Sequence, residues 1–273
     1  YIPTSARAAT AVVNVALNTS DTSATMPAGT VFNATINEDS YQFITIDDVT
    51  KALTGSTILF SDTDIYEGSW ITTRYSVDST NVEQRFVIND NRADTSTLRV
   101  KVQTSLSDST TTTYTLATDI ALLTSTSTVY FLQEVEAGKY EVYFGDGIVS
   151  KAVTDGNIII LEYVVTNKTL GNGGSTFTNA ATISGVSSVT VTTVSDSVGG
   201  AEPESPRSIK LNAPLDYASQ GRCVTTEDYK TYVKQLFPNT QAVSVWGGES
   251  GSYTAADGVV DTAEYGKVFI SVK

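Results

Sequence analysis

Hydrophobic and polar positions alternate with the two-residue period of pleated strands along most of the chain. Residues 8–17 (AATAVVNVAL) read as an opening strand. Polar residues at Asn18–Thr25 and a turn at Met26-Pro27-Ala28-Gly29 follow. Thr30–Asn37 and Ser40–Ile46 form a predicted hairpin bent at Asn37-Glu38-Asp39, and Thr57–Phe60 is a further short strand. Seven more strand-like runs occupy Trp70–Val77, Gln84–Ile88, Leu98–Val102, Thr112–Leu116, Val129–Gln133, Tyr140–Phe144 and Ile158–Val165. Turn signals separate them, among them Asn89-Asp90-Asn91, Ser107-Asp108-Ser109, Ala137-Gly138, Gly145-Asp146-Gly147 and Asp155-Gly156-Asn157. Short strands at such intervals imply a sandwich or a barrel. Gly171-Asn172-Gly173-Gly174-Ser175 reads as a flexible connection, and Val186–Val194 as a strand returning to the first sheet.

The period changes after Gly199-Gly200. Ser205-Pro206 is an N-cap with proline at the first helical position, and Pro214 is expected to end that short helix. A second helix is capped by Thr225, carries Glu227 and Asp228 in its first turn, and stops at Pro238. Its apolar face holds Tyr229, Tyr232, Val233, Leu236 and Phe237. Ala242–Trp246 and Lys267–Val272 are final strands around an acidic loop. The expected fold is mainly β with a C-terminal α+β module. Its parts are a β domain over 1–69 completed by about 181–198, an inserted β-sandwich-like domain over 70–180, and the α+β module over 199–273. Both chain ends read as cut, which makes the chain part of something longer.

Composition sharpens this into exclusions. The 42 threonines suit half-buried pleated faces. Zero histidine removes imidazole triads, the HExxH zinc helix and imidazole proton shuttles. One cysteine, Cys223, removes zinc ribbons, iron–sulfur clusters and internal disulfides. A net charge of −13 with no basic patch opposes binding to DNA or anionic lipid. The longest apolar run, Ile158–Leu161, falls far short of the roughly 20 residues that span a bilayer.

Candidate chemistry is thin. The glycines at 171–174 lack the lysine of a phosphate loop, and no helix follows them; a connection needing positive φ is the plainer account. Acid pairs occur at Glu202/Glu204, Asp62/Asp64, Asp47/Asp48 and Glu134/Glu136, yet 30 acids in one chain yield such pairs by chance. Asp62-x-Asp64 and Gly145-Asp146-Gly147 offer oxygen ligands for calcium without EF-hand spacing, and aspartate is equally at home in turns. Cys223, beside Arg222 and a helix start, has features that lower a thiol pKa but no base or resolving cysteine, so a partly buried small residue is the expectation. No enzyme is implied, and no cofactor or metal.

Several motifs carry a resemblance. Ala28-Gly29-Thr30 with Phe32 and Tyr41-Gln42-Phe43 comes first. Tyr140-Glu141-Val142-Tyr143-Phe144-Gly145-Asp146-Gly147, Gly156-Asn157-Ile158-Ile159 and Gly171-Asn172-Gly173 follow. Gly199 to Ser205, Arg207, Ala213-Pro214, Arg222 and Val224-Thr225-x-x-Asp228-Tyr229 complete the order. Together these resemble the baseplate J-like family. The insertion, with Tyr75 to Ser79 and Asp94 to Leu98, looks most like the wedge proteins of T-even-type contractile-tailed bacteriophages. The resemblance implies a structural subunit of the tail baseplate in the virion, assembled in the host bacterial cytoplasm. Its implied partners are other copies of itself and other baseplate wedge proteins, with no nucleic acid, membrane or small-molecule substrate.

The α+β module is the favoured contact surface, with candidate interface residues Arg207, Arg222, Tyr229, Tyr232 and Val233. An arginine fork suits partner carboxylates, though Glu202, Glu204 or Asp228 could pair with both arginines locally. Candidate structural loops hold Gly145, Asp146, Gly147, Gly171, Gly173, Gly199 and Gly200. The alternative is a β-sandwich adhesin or fibre module displaying Tyr and Trp to surface glycans; hydrolysis through an acid pair is a third.

Overall fold

The computed structural model describes all residues except 79, 82, 136–137, 180, 220, 238–239, 249–252, 255–258 and 261–265. Ser79, Glu136, the turn residue Ala137, the stop at Pro238 and most of the acidic loop between the last strands therefore lie outside the described residues. The chain divides into two compact units: Thr4–Pro203 with Ile2, and Glu204–Lys273 with Tyr1 and Pro3. As the sequence implies, the first is built of strands and the second mixes helices with strands.

Within the larger unit, the first sheet begins with β1 (Thr10–Asn18), in which Ala11, Val13, Val15 and Leu17 point to the core and the intervening residues face outward. β2 (Ser23–Met26) pairs with β5 (Val49–Ala52) in a separate small ladder. β3 (Val31–Ile36) and β4 (Asp39–Ile44) form a tight hairpin. Its two turn residues, Asn37 at φ 50° and Glu38 at φ 73°, take the left-handed conformation that matches strand twist. β6 (Thr57–Glu67) pairs with β1 and, at its end, with β4.

β6 is longer than the short strand expected. Its middle carries Asp62 at φ 48°, whose N–H is taken by Asn14 Oδ1 at 2.9 Å, and the register against β1 shifts there. That bulge breaks the alternation a sequence reading depends on.

Seven strands lie between β6 and the return to the first sheet: β7 (Ser69–Ser76), β8 (Phe86–Ile88), β9 (Ala93–Gln103), β10 (Thr111–Leu116), β11 (Val129–Glu134), β12 (Tyr140–Tyr143) and β13 (Ile158–Val165). They make one sheet in the order β7-β13-β9-β10-β11-β12-β8. The insertion expected to be β-sandwich-like is instead one rolled, barrel-like sheet, because its strands pair in a single continuous order and Tyr75 on one margin donates to the Val87 carbonyl on the other. Phe86, Val100, Tyr114, Leu132, Tyr140, Val142, Ile159 and Leu161 fill the interior. β13 reads as a nearly continuous apolar run, interrupted only by Glu162, because both of its faces are covered. One faces this interior, and Val164 on the other packs with Ala8, Ile44 and Ile46 of the first sheet's layer.

β14 (Thr178–Asn179) and β15 (Val189–Val198) complete the first sheet, whose order is β14-β3-β4-β6-β1-β15. Phe32, Phe43, Ile58, Phe60 and Phe177 form its core, with Phe43 and Phe177 edge to face at 4.9 Å.

The smaller unit holds α1 (Pro206–Ser219), α2 (Thr226–Leu236) and the strands β16 (Val243–Gly247), β17 (Tyr253–Thr254), β18 (Val259–Val260) and β19 (Val268–Val272). β16 pairs with β19, and β17 with β18. Pro214 does not end α1; it lies inside the helix. Proline there forfeits the bond to the carbonyl of Lys210, but Lys210 and Pro214 both sit on the solvent side, where water can bond that carbonyl. α2 starts as expected: Thr225 Oγ1 accepts from the Asp228 N–H while Asp228 Oδ2 accepts from the Thr225 N–H at 2.7 Å.

Candidate interaction surface

The five proposed interface residues fall into different environments. Arg207 is exposed in the first turn of α1 and has no ion pair among the described residues. Arg222 is exposed in the α1–α2 connection, close enough to Asp228 to help hold its carboxyl below the usual aspartate range. The larger cause is hydrogen bonding from the backbone N–H groups of Thr225 and Val224. Local carboxylates are otherwise engaged: Glu202 pairs with Lys168 at 2.6 Å, and Glu204 accepts from Ser208 and Asn212. Tyr229 and Tyr232 are half-buried, with the Tyr232 hydroxyl 3.5 Å from Ser219 Oγ. Val233 is buried, so it anchors α2 within its own unit and cannot reach a partner.

The expected apolar face of α2 is only partly covered. Leu236 is 72% exposed and Phe237 62%, while α1 leaves Leu211 and Tyr217 in solvent. A groove of about 560 Å³ runs beside the helices, lined by Leu215, Ala218, Arg222, Val224, Glu227 and Thr231. Among the described residues of this unit, only Val233 and Val245 are buried hydrophobics. Cys223 is exposed, contrary to the partly buried position expected for it; desolvation raises its thiol pKa, and the Asp228 carboxylate adds to the effect.

The glycine loops separate into two places in the larger unit. Gly145-Asp146-Gly147 is a self-contained turn in which Asp146 Oδ1 accepts from the Ile148 N–H at 2.9 Å, lowering the Asp146 pKa. Gly171, Gly173 and Gly200 converge elsewhere. Gly173 N–H donates to the Ser197 carbonyl, Gly174 N–H to Ser197 Oγ at 2.7 Å, and Ser197 Oγ to the Gly171 carbonyl at 2.7 Å. Asn172 exchanges two bonds with Gly200, at 2.8 and 3.0 Å. A Cβ on Gly200 would stand 2.2 Å from the Lys168 carbonyl, so only glycine fits that crossing. Gly199, at φ 91°, turns the chain into it. The expected flexible connection at 171–175 is therefore a fully bonded joint.

At its centre lies Glu67, wholly buried and absent from the sequence-derived candidates. It accepts from Thr166 Oγ1 at 2.6 Å, the Asn167 N–H at 2.8 Å and Asn167 Nδ2 at 2.8 Å. Asp94 plays a similar part, accepting from the Ala8 N–H at 2.9 Å and from the Ser96 N–H and Oγ at 2.9 and 2.6 Å, with Arg7 at 3.5 Å. Three donors apiece make these carboxylates structural rather than reactive. Neither lies in a strand read from the sequence: Glu67 left no trace there, and Asp94 entered only through the Asp94 to Leu98 motif. Among the described residues, no group of three or more His, Cys, Asp or Glu converges on a metal-sized space, and Glu136 of the Glu134/Glu136 pair lies outside them.

Residues 72–173 match the family described as "Bacteriophage baseplate wedge protein gp6, third domain". Residues 225–273 match "Baseplate structural protein gp6, C-terminal domain I". A curated protein, "Baseplate wedge protein gp6" of Enterobacteria phage T4, is 30% identical over a 138-residue alignment, with coverage of 41% of this chain and 20% of that protein. The chain thus aligns with about a fifth of the relative's length. A chain in the cryo-EM structure of the anti-feeding prophage (AFP) baseplate, 6-fold symmetrised, gives a TM-score of 0.30 at 13% identity, covering 89% of this chain and 45% of that one. On the two domain matches and the T4 alignment, this chain is similar over those segments to the bacteriophage baseplate wedge protein gp6.

Proposed function

We propose that the chain is a non-enzymatic structural part of a contractile phage tail baseplate wedge, carried in the virion and assembled in the host bacterial cytoplasm. The observation that carries this reading is that two separate segments, 72–173 and 225–273, each match a gp6 wedge domain. In this reading the chain works as three parts: 1–69 completed by 181–198, the insertion over 70–180, and the α+β module over 199–273. Its partners are further copies of itself and other wedge proteins. The exposed Leu211 and Tyr217 of α1 and Leu236 and Phe237 at the end of α2 support a contact role for the module, since large apolar side chains left in water are often interaction sites. In this reading Arg207, Arg222, Tyr229 and Tyr232 supply contacts of that module, Arg222 from the groove wall, and Val233 holds α2 in place. The acidic surface supports indifference to nucleic acid and anionic membrane.

The test is co-assembly. Purified full-length protein mixed with the other wedge proteins is expected to elute as a complex in size-exclusion chromatography. The double substitution Leu236→Ser/Phe237→Ser should weaken that complex while changing the protein's own stability by less than about 0.5 kcal/mol, because both side chains are solvent-exposed. Elution of the wild type only as a monomer would refute the proposal.

A further inference from the structure

The rolled sheet is not hydrogen-bonded shut. Its margins, β7 and β8, meet through side chains: the Tyr75 hydroxyl donates to the Val87 carbonyl at 2.5 Å, and the Tyr75 and Phe86 rings lie 5.7 Å apart. Among the described residues, no backbone pairing joins β7 to β8 across this seam.

The pairing of β7 shows which groups face that seam. The Val77 N–H donates to the Asn157 carbonyl at 2.9 Å, continuing the register that sets Ser76 opposite Ile158. In an antiparallel ladder alternate residues bond to the same neighbour, so Tyr75, Thr73, Ile71 and Ser69 face β13. Trp70, Thr72, Arg74 and Ser76 then face outward. The Ser76 carbonyl accepts from Gln84 Nε2 at 2.9 Å, and the Trp70 ring lies against Gly29. The backbone N–H and C=O groups of Thr72 and Arg74 have no partner among the described residues. Beside them opens a cavity of about 360 Å³, lined by Ile71, Thr73, Tyr163, Asn89 and Arg92 among others.

Exposed strand edges are ordinarily blunted by proline, lysine, a bulge or a covering element. β7 has no proline or lysine and keeps an unshifted register against β13 over all eight residues. The outer strand of the other sheet, β15, shows the usual protections: its register shifts against β1, and Ser197 near its end is bonded to Gly174. Arg74 is exposed and forms no ion pair among the described residues, in a chain whose net charge is −13.

We propose that the β7 margin is a docking edge for an extended segment of a partner polypeptide, added as a strand through the backbones of Thr72 and Arg74. The segment carries a carboxylate opposite Arg74 and turns small β-branched side chains into the cavity. Backbone pairing supplies affinity, and the arginine and the cavity supply selection. This surface is distinct from the helix groove of the wedge reading.

The test uses purified full chain and a synthetic octapeptide of alternating Thr and Val with one central Glu. Saturable binding in calorimetry is expected, with slowed amide exchange at Thr72 and Arg74. Thr72→Pro removes an outward-facing N–H and should lower affinity about tenfold or more with unchanged far-UV circular dichroism. Arg74→Glu should lose the Glu peptide and bind the same peptide carrying Lys in its place. Absent saturable binding, unchanged exchange at both amides, or the Arg74→Glu variant keeping its preference for the Glu peptide would each overturn the proposal. Because nothing but chain and peptide is present, such a failure leaves the wedge reading standing.

Discussion

The joint around Glu67 makes a quantitative claim about two residues 104 positions apart in sequence. A Cβ on Gly171 would sit 2.5 Å from Glu67 Cγ, 2.9 Å from Glu67 Cβ and 3.1 Å from Ala9 Cβ. Gly171 does not have positive φ, so Gly171→Ala meets a steric cost alone, about 1–3 kcal/mol for overpacking, reduced by the smaller backbone entropy of an alanine chain. Glu67→Ala strips the acceptor from three donors, one on buried Thr166 and two on solvent-exposed Asn167; at about 1 kcal/mol for each net bond it should cost about 2–3 kcal/mol. The two losses should not add. With Cγ gone the tightest of the three contacts disappears, and the new methyl occupies part of the space vacated by the carboxylate. The double variant should therefore be more stable than the sum by about 1 kcal/mol, a coupling typical of residues in contact. Urea unfolding read by Trp70 fluorescence in a Trp246→Phe background measures all four corners. Additivity within about 0.3 kcal/mol, or a cost-free Gly171→Ala, would refute the packing described.

Other consequences are simpler. Glu38→Gly should stabilise the larger unit by about 0.5–1 kcal/mol in urea unfolding, because the side chain is exposed and φ is 73° at a turn position glycine adopts without strain. The pKa of Asp228 is lowered in the folded protein, so its contribution is complete above the ordinary aspartate value and is lost as pH falls through the folded one. Acid titration of the helical circular dichroism should show α2 loosening in that window, and Asp228→Ala should abolish the dependence. Burial pushes the Tyr130 pKa up to about 12, so the rolled sheet should be stable below pH about 10 and weaken as pH rises through that raised value. Absorbance at 295 nm should show Tyr130 ionising later in the folded than in the urea-unfolded protein, and Tyr130→Phe should reduce the alkaline loss, with half-buried Tyr75 and buried Tyr114, whose pKa values burial also raises, carrying the rest.

Much of this architecture was legible because it rests on local patterns. The β3–β4 hairpin announced itself through Asn37-Glu38 between alternating strands, and Thr225 with Asp228 marked the start of α2. Long-range features left weaker traces. β6 hid behind the Asp62 bulge, and β2 was obscured by its polar surroundings. Pro214 looked like a terminator because its missing bond is harmless only where water reaches the freed carbonyl, which is a fact about tertiary placement. The glycines at 171–174 looked flexible for the same reason: what makes them rigid is Ser197 and Gly200, met only once the chain has folded back. Glu67 carried no signal, since its meaning comes from donors a hundred residues away. In the helical module, the apolar stripe of α2 was readable, but its incomplete burial was not.

The Glu67–Asn167 bond has one more implication, for how such a chain can change over generations. It brings together the two points at which the polypeptide leaves the first sheet and comes back to it, with the carboxylate 2.8 Å from the Asn167 N–H. A segment whose ends are pinned side by side can be shortened, enlarged or exchanged without re-registering the strands that hold them. Replacing residues 69–165 with a short Gly-Ser bridge would leave Glu67, Thr166 and Asn167 in reach of one another. The rolled sheet is in this sense a cassette. Most of the rolled sheet can then vary while the strands of the first sheet keep their register, provided the contacts of Val164 and Asp94 with the first sheet are kept.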